Sequence, residues 1–295
     1  MRFGLVGTGH WARVTHAPAL ACTEGTELTA VWGRDPRAAA GLAAEYQATP
    51  YHDLSAFLAG VDAVSFAVPP DVQGPIATQA AREGKHLLLE KPVALTGAAA
   101  DDLVEAVEQA GVASVVFFTQ RFQPDVRAWL AEVQARGGWI GGVSAWLGSA
   151  LRDSSPFNTP WRRDKGGLWD IGPHMISLLW ASLGPVTSVT ADHGPLDVTH
   201  LILHHQGGAT STTTLTLSAP EAADGLDVYV WGESGRLAAP RGSLDQVAAL
   251  SVALGELTAN ARTGQTRHPC DVWFGRDVGR VLAEAQRQID ARISG

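Results

Sequence analysis

A short apolar run, Phe3-Gly4-Leu5-Val6, ends in Gly7-Thr8-Gly9-His10-Trp11-Ala12 and passes straight into a helix-compatible segment at 11–22. No other stretch limits the fold as strongly. A strand that apolar has to be covered on both faces, and the glycines turn the chain at once into the covering helix. The pattern repeats through the first 120 residues. Apolar runs at 28–33, 61–70, 86–92 and 113–120 read as buried strands, and Ala-rich segments at 35–47, 71–84 and 96–111 between them read as helices. Thr96 is placed to cap the last of these and Gly111 to stop it. Strand–helix alternation of this length predicts an α/β unit, a doubly wound Rossmann-type parallel sheet.

Beyond residue 140 the rhythm changes. Runs at 141–150, 186–194, 198–206, 209–218 and 226–235 read as strands, with Gly207-Gly208 as a hairpin turn. Helices are expected near 124–136, 170–183, 243–262 and 271–293. These elements predict an α+β domain with a mostly antiparallel open sheet and helices on one side. The expected domains are therefore 1–120 and 121–295.

The motif at 7–12 fits G-x-G-x-x-G/A in the context that gives it meaning, after a strand and at the start of a helix. Gly7 permits the turn, Gly9 lets backbone N–H groups approach a pyrophosphate, and Ala12 allows close helix–strand packing. The end of the second strand separates the two nicotinamide dinucleotides. An acidic residue there would bind both ribose hydroxyls of NAD, but the chain has Gly33 followed by Arg34. Glycine leaves room and guanidinium binds phosphate bidentately, so NADP is expected, with NAD as the alternative.

Charge narrows the partners. With 22 basic and 30 acidic side chains the net charge is −8, and no basic run occurs. Nucleic acid and anionic membrane are therefore not expected as partners, and a small-molecule substrate is. No run of about 18 apolar residues suggests a membrane span, and the N-terminal stretch has no cleavage-site pattern, so a cytoplasmic protein is expected. Cys22 and Cys270 lie far apart and read as reduced thiols. His204-His205 sits within a strand and points to opposite faces, and no metal site is expected.

The stretch GGLWDIGPHM at 166–175 places Asp170 and His174 one helical turn apart. A carboxylate beside an imidazole suits proton transfer. It equally suits a helix start in which Asp170 is the cap and Pro173 sits in the first turn. Trp161 and Trp169 flank this stretch, and their rings can stack on a sugar or pack in a core.

Three motifs in order, GTGHWA at 7–12, GKHLLLEKPVALT at 84–96 and GGLWDIGPH at 166–174, resemble the Gfo/Idh/MocA oxidoreductases over nearly the whole chain. Val68-Pro69-Pro70, Arg121-Phe122 and Trp161-Arg162 are weaker echoes of the same family. The resemblance implies a nicotinamide cofactor across the carboxyl ends of the parallel strands, with Val68, Pro69, Glu90 and Lys91 joining the glycine loop around it. It implies Lys91, Asp170 and His174 as the catalytic set, and Arg121 and Trp161 beside those three on the substrate. It also implies a homodimer or homotetramer assembled through the second domain's sheet. The expected reaction is hydride transfer to or from a sugar, cyclitol or related hydroxyl or carbonyl compound. Two rivals share the fold: a non-catalytic dinucleotide or sugar sensor, and a redox-assisted glycoside hydrolase or lyase. The chain departs from many members in carrying Gln73 where they have a histidine, and in being shorter.

Overall fold

The computed structural model describes residues 1–293, so residues 294–295, at the end of the expected second domain, lie outside the described residues. The chain forms two compact units. The first holds Met1–Phe122 and Leu244–Asp277, and the second holds Gln123–Ser243 and residues 278–293. The chain thus passes between units three times, where the sequence suggested one boundary near 120. The segment at 244–277, expected in the second domain, packs with the first.

In the first unit six strands form one parallel sheet: β1 (Arg2–Val6), β2 (Glu27–Trp32), β3 (Thr49–Tyr51), β4 (Ala63–Phe66), β5 (His86–Leu89) and β6 (Ser114–Val116). Their order is β3-β2-β1-β4-β5-β6, with every neighbouring pair parallel. The central strands are buried on both faces, with Phe3, Leu5, Val64, Phe66 and Leu88 fully inaccessible. Such strands need helices above and below. The helices are capped as their sequences dictate. Asp35 accepts from Arg37 N and Ala38 N to start Pro36–Glu45, and Asp53 accepts from Ala56 N to start Leu54–Ala59. Thr96 caps Gly97–Ala110 through Ala99 N, and Gly111 ends it at φ 64°. The helix Gln246–Thr263, capped by Asp245, packs against β5, β6 and the helix Ala17–Cys22. The reversal of strand order beside β1 leaves a crevice between the carboxyl ends of β1 and β4, where ligands bind in sheets of this kind.

In the second unit the strands are β7 (Trp139–Leu147), β8 (Val186–His193), β9 (Thr199–His205), β10 (Thr210–Thr216), β11 (Gly225–Gly232) and β12 (Gly235–Ala238). Their order is β12-β11-β7-β10-β9-β8. Only β7 and β10 run parallel, so the sheet is mixed and mostly antiparallel. Burial alternates residue by residue along β9, the signature of one covered face and one open face. His204 is exposed and His205 buried, as their positions in the strand require. The His205 ring fits between Gly184 O and Ser211 Oγ, each at 2.8 Å. The helix Gly172–Leu183 packs on β7 and β10, and Gln288 of the helix Val272–Ile293 bonds the backbone of Val189 and Ala191 in β8. Gly208, at φ 86°, turns the chain from β9 into β10.

Candidate active site

In the first unit the glycine loop has the shape its sequence suggests. Gly7 has φ 125°, and a Cβ on it would lie 2.5 Å from Ala67 O, so no other residue fits. The same imaginary atom would touch Val68, which shows how closely the turns after β1 and β4 approach. A Cβ on Gly9 would meet nothing within 4 Å, so the backbone there is open to a ligand. Residues 10–22 are helical and Ala12 is fully buried, which lets the helix sit down on the sheet. The turn Ala12–His16 is π-helical, a local widening often found at functional sites. A strained glycine, an open glycine and a helix start together fit a dinucleotide pyrophosphate.

Gly33 is explained differently from the sequence reading. A Cβ there would lie 2.7 Å from Thr8 Cγ2, so the glycine makes room for the Thr8 side chain. Arg34 is exposed just beyond it, and the Asp35 carboxylate is occupied in capping the next helix.

Glu90, Lys91 and Pro92 follow β5, and the Lys91–Pro92 peptide is cis. The Glu90 carboxylate accepts from Trp11 Nε1 at 2.7 Å and lies 3.2 Å from His16 Nε2, while His16 Nδ1 lies 2.8 Å from Ser65 Oγ. With its proton on Nε2, His16 donates to Glu90 and accepts from Ser65. Three elements meet in this largely buried network: the glycine-loop helix at Trp11 and His16, β4 at Ser65, and the Glu-Lys-Pro turn at Glu90. Lys91 and Val68 are half-buried and Pro69 is exposed. Arg121 is half-buried, its guanidinium 5.6 Å from the centre of the Phe274 ring.

In the second unit Asp170 and His174 do not share one helix. The expected helix from 170 to 183 is two pieces, Pro160–Asp170 and Gly172–Leu183, with Ile171 between them at φ −104°. Asp170 closes the first piece and does not cap the second, whose start has no side-chain cap. Its carboxylate accepts from Arg162 Nε at 2.7 Å. Arg162 also donates to Phe157 O and lies over the Phe157 ring. His174 is buried, its ring centre 5.5 Å from that of Trp146 in β7.

The double glycine has a structural cause. Gly166 has φ 61°, and a Cβ on Gly167 would lie 3.1 Å from backbone atoms of Thr216. The glycines let the chain pass close to β10. Asp197 fixes the approach, accepting from Gly167 N, Leu217 N and Thr216 Oγ1. Nothing in the sequence marked Asp197, because its partners come from two segments, at 167 and at 216–217, each about 20 residues or more away. Trp169 belongs to the core, its Nε1 donating to Gln286 Oε1 at 2.9 Å. Trp161 has a buried Nε1 that meets no hydrogen-bond acceptor among the described residues.

Comparison with known proteins agrees with this architecture. A family model described as an oxidoreductase family with an NAD-binding Rossmann fold matches residues 1–118, and the GFO/IDH/MocA C-terminal domain matches 126–238. An uncharacterized oxidoreductase of Synechocystis is 33% identical over 64% of the chain. That match spans 53% of the relative, about half its length. Inositol 2-dehydrogenase of Rhizobium meliloti is 28% identical over 93% of the chain and 83% of its own length. The crystal structure of myo-inositol dehydrogenase from Lactobacillus casei, in complex with NAD(H) and myo-inositol, superimposes with a TM-score of 0.85. It covers 98% of the chain and 94% of its own at 18% identity, a likeness of fold.

Proposed function

Because the chain belongs to the Gfo/Idh/MocA oxidoreductase family, we propose that it moves a hydride between a nicotinamide cofactor and a hydroxyl-bearing or carbonyl carbon of a sugar, cyclitol or related polyol. The observation that carries this reading is Asp170, buried and ion-paired to Arg162 four residues before the buried His174. A structural chain gains little from burying an acid and an imidazole this close in sequence. The relatives named for inositol support a polyol as substrate.

The nicotinamide, when bound, supplies the hydride acceptor or donor. His174 takes the hydroxyl proton during oxidation and returns it during reduction, since an imidazole exchanges protons near neutrality. Asp170 orients the ring and stabilises its charged form. Lys91 places a positive charge at the reacting oxygen, favouring the alkoxide. Gly7, Thr8, Gly9, His10 and Trp11 would hold the pyrophosphate, with the fully buried Ala12 keeping their helix close to the sheet, and Val68, Pro69 and Glu90 would flank the nicotinamide side.

We assign a preference for NADP to Arg34, which is exposed at the end of β2 while Asp35 is engaged as a helix cap. Arg121 and Trp161 are assigned to the substrate, Trp161 through its buried indole N–H. The open face of the second sheet, which exposes Ile202 and Trp231, is assigned to self-association as a dimer or tetramer. The same reading places the protein in the cytoplasm.

The test is titration with NADPH, NADP, NADH and NAD, followed by a polyol and sugar screen with the tighter cofactor. Micromolar binding and turnover of one polyol class are expected. No binding of any of the four, with no cofactor released on denaturation, would remove the enzyme reading.

A further inference from the structure

The turn that carries Lys91 begins where the sheet ends. Leu89 is the last residue of β5 paired with β6, and among the described residues no strand pairs with the backbone from Glu90 to Val93. Buried backbone polar groups in that position need partners. One side chain provides four of them. Gln73 Oε1 accepts from Glu90 N at 2.8 Å, and its Nε2 donates to Glu90 O at 2.8 Å. The second amide hydrogen is shared between Val93 O at 3.2 Å and Pro92 O at 3.3 Å. Gln73 is fully buried and stands in the first turn of the helix Pro70–Arg82, directly after the β4 crossover.

We propose that Gln73 is a positioning residue for Lys91. Its amide closes the turn at entry and exit and so fixes the backbone from which the Lys91 side chain extends. The inference rests on the role given to Lys91 above. Few side chains can do this. An amide has one carbonyl acceptor and two N–H donors, matching one N–H and three carbonyls in the turn. Methionine keeps the length and loses every bond. Glutamate would set a carboxylate against three carbonyl oxygens. Histidine offers one acceptor and one donor, half of what the turn uses. No water competes for the amide at zero exposure, so its loss is not made good by solvent. A charged group displaced by about 1 Å can lower a rate by about 100-fold, so a loosened turn is felt at the reacting oxygen.

The experiment is a double-mutant cycle on the full-length protein, using a substrate from the polyol screen. Single-turnover hydride transfer, cofactor affinity by fluorescence and the thermal midpoint are measured for wild type, Gln73→Met, Gln73→His, Lys91→Ala and the Gln73→Met/Lys91→Ala double variant. Gln73→Met is expected to slow transfer about 100-fold, with cofactor affinity changed by less than threefold or so, and Gln73→His to recover part of the rate. In the Lys91→Ala background the same substitution adds no more than about twofold, because the group it positions is gone. An equal fold-loss in both backgrounds overturns the inference, as does a folded Gln73→Met at wild-type rate. Should Gln73→Met fail to fold, Gln73→His carries the cycle. A slow Lys91→Ala with additive losses sinks this inference alone. A Lys91→Ala as fast as wild type sinks the role of Lys91 and this inference with it.

Discussion

Arg162 Nε donates to Asp170 Oδ2 at 2.7 Å across eight residues of sequence, joining the two ends of a helix that Gly166 breaks. The pair keeps a carboxylate in a place where only 8% of its side chain meets solvent. Removing one partner of a buried pair typically costs roughly 3–5 kcal/mol. The Arg162 side chain is 23% exposed, so Arg162→Gln is expected to lower unfolding free energy by about 2–3 kcal/mol. Urea denaturation measures this. A loss within a few tenths of a kcal/mol would mean that the pair holds nothing.

His174 should be indispensable to proton transfer and dispensable for the cofactor. His174→Ala is expected to slow hydride transfer by about 10²–10⁴-fold while dinucleotide affinity stays close to wild type. Stopped-flow fluorescence separates the two. Wild-type turnover in this variant would remove His174 from the chemistry.

Arg34 should discriminate between cofactors. A guanidinium–phosphate contact contributes about 1.5–3 kcal/mol, so Arg34→Ala is expected to weaken NADP binding by roughly 10- to 100-fold and leave NAD nearly unchanged. Calorimetric titration decides. Equal weakening of both dinucleotides would refute the assignment.

Gly167 stands where a methyl group would press on the backbone of Thr216. Strand backbone cannot step aside as a flexible side chain can, so Gly167→Ala is expected to cost about 1–3 kcal/mol and to slow turnover by moving Asp170. Denaturation and steady-state rates of the same preparation check both effects.

Acid should weaken the fold through two histidines. Burial pushes His205 below its ordinary value of 6.5, partly offset by its bond to Gly184 O, and burial does the same to His86. Below pH 6.5 the unfolded chain therefore binds protons that the folded chain resists, and stability falls. The loss sets in as pH drops through 6.5 and levels off below the depressed folded values. Urea midpoints at pH 7.5 and 5.5 should differ in that sense, and His205→Gln should narrow the difference. A larger difference in His205→Gln would reverse the sign.

The sequence by itself determined the parallel sheet, the glycine loop, the Thr96 and Gly111 helix ends and the opposite facing of His204 and His205. Each follows from local chemistry: a fully apolar strand must be covered twice, φ 125° admits only glycine, and alternate strand residues face apart. The order of the three motifs also carried the family. The short β3, β12 and Leu54–Ala59 went unread, because three to six residues hold too little periodicity to stand out. Tertiary structure alone decided the rest. It returned 244–277 to the first unit, gave Gly33 to Thr8, split the helix at Ile171, and brought Arg162, Asp197 and Gln73 to their partners. Those contacts join residues 8 to 30 positions apart or more, and the partner of a buried polar group is set by what the fold brings beside it, which no local pattern encodes.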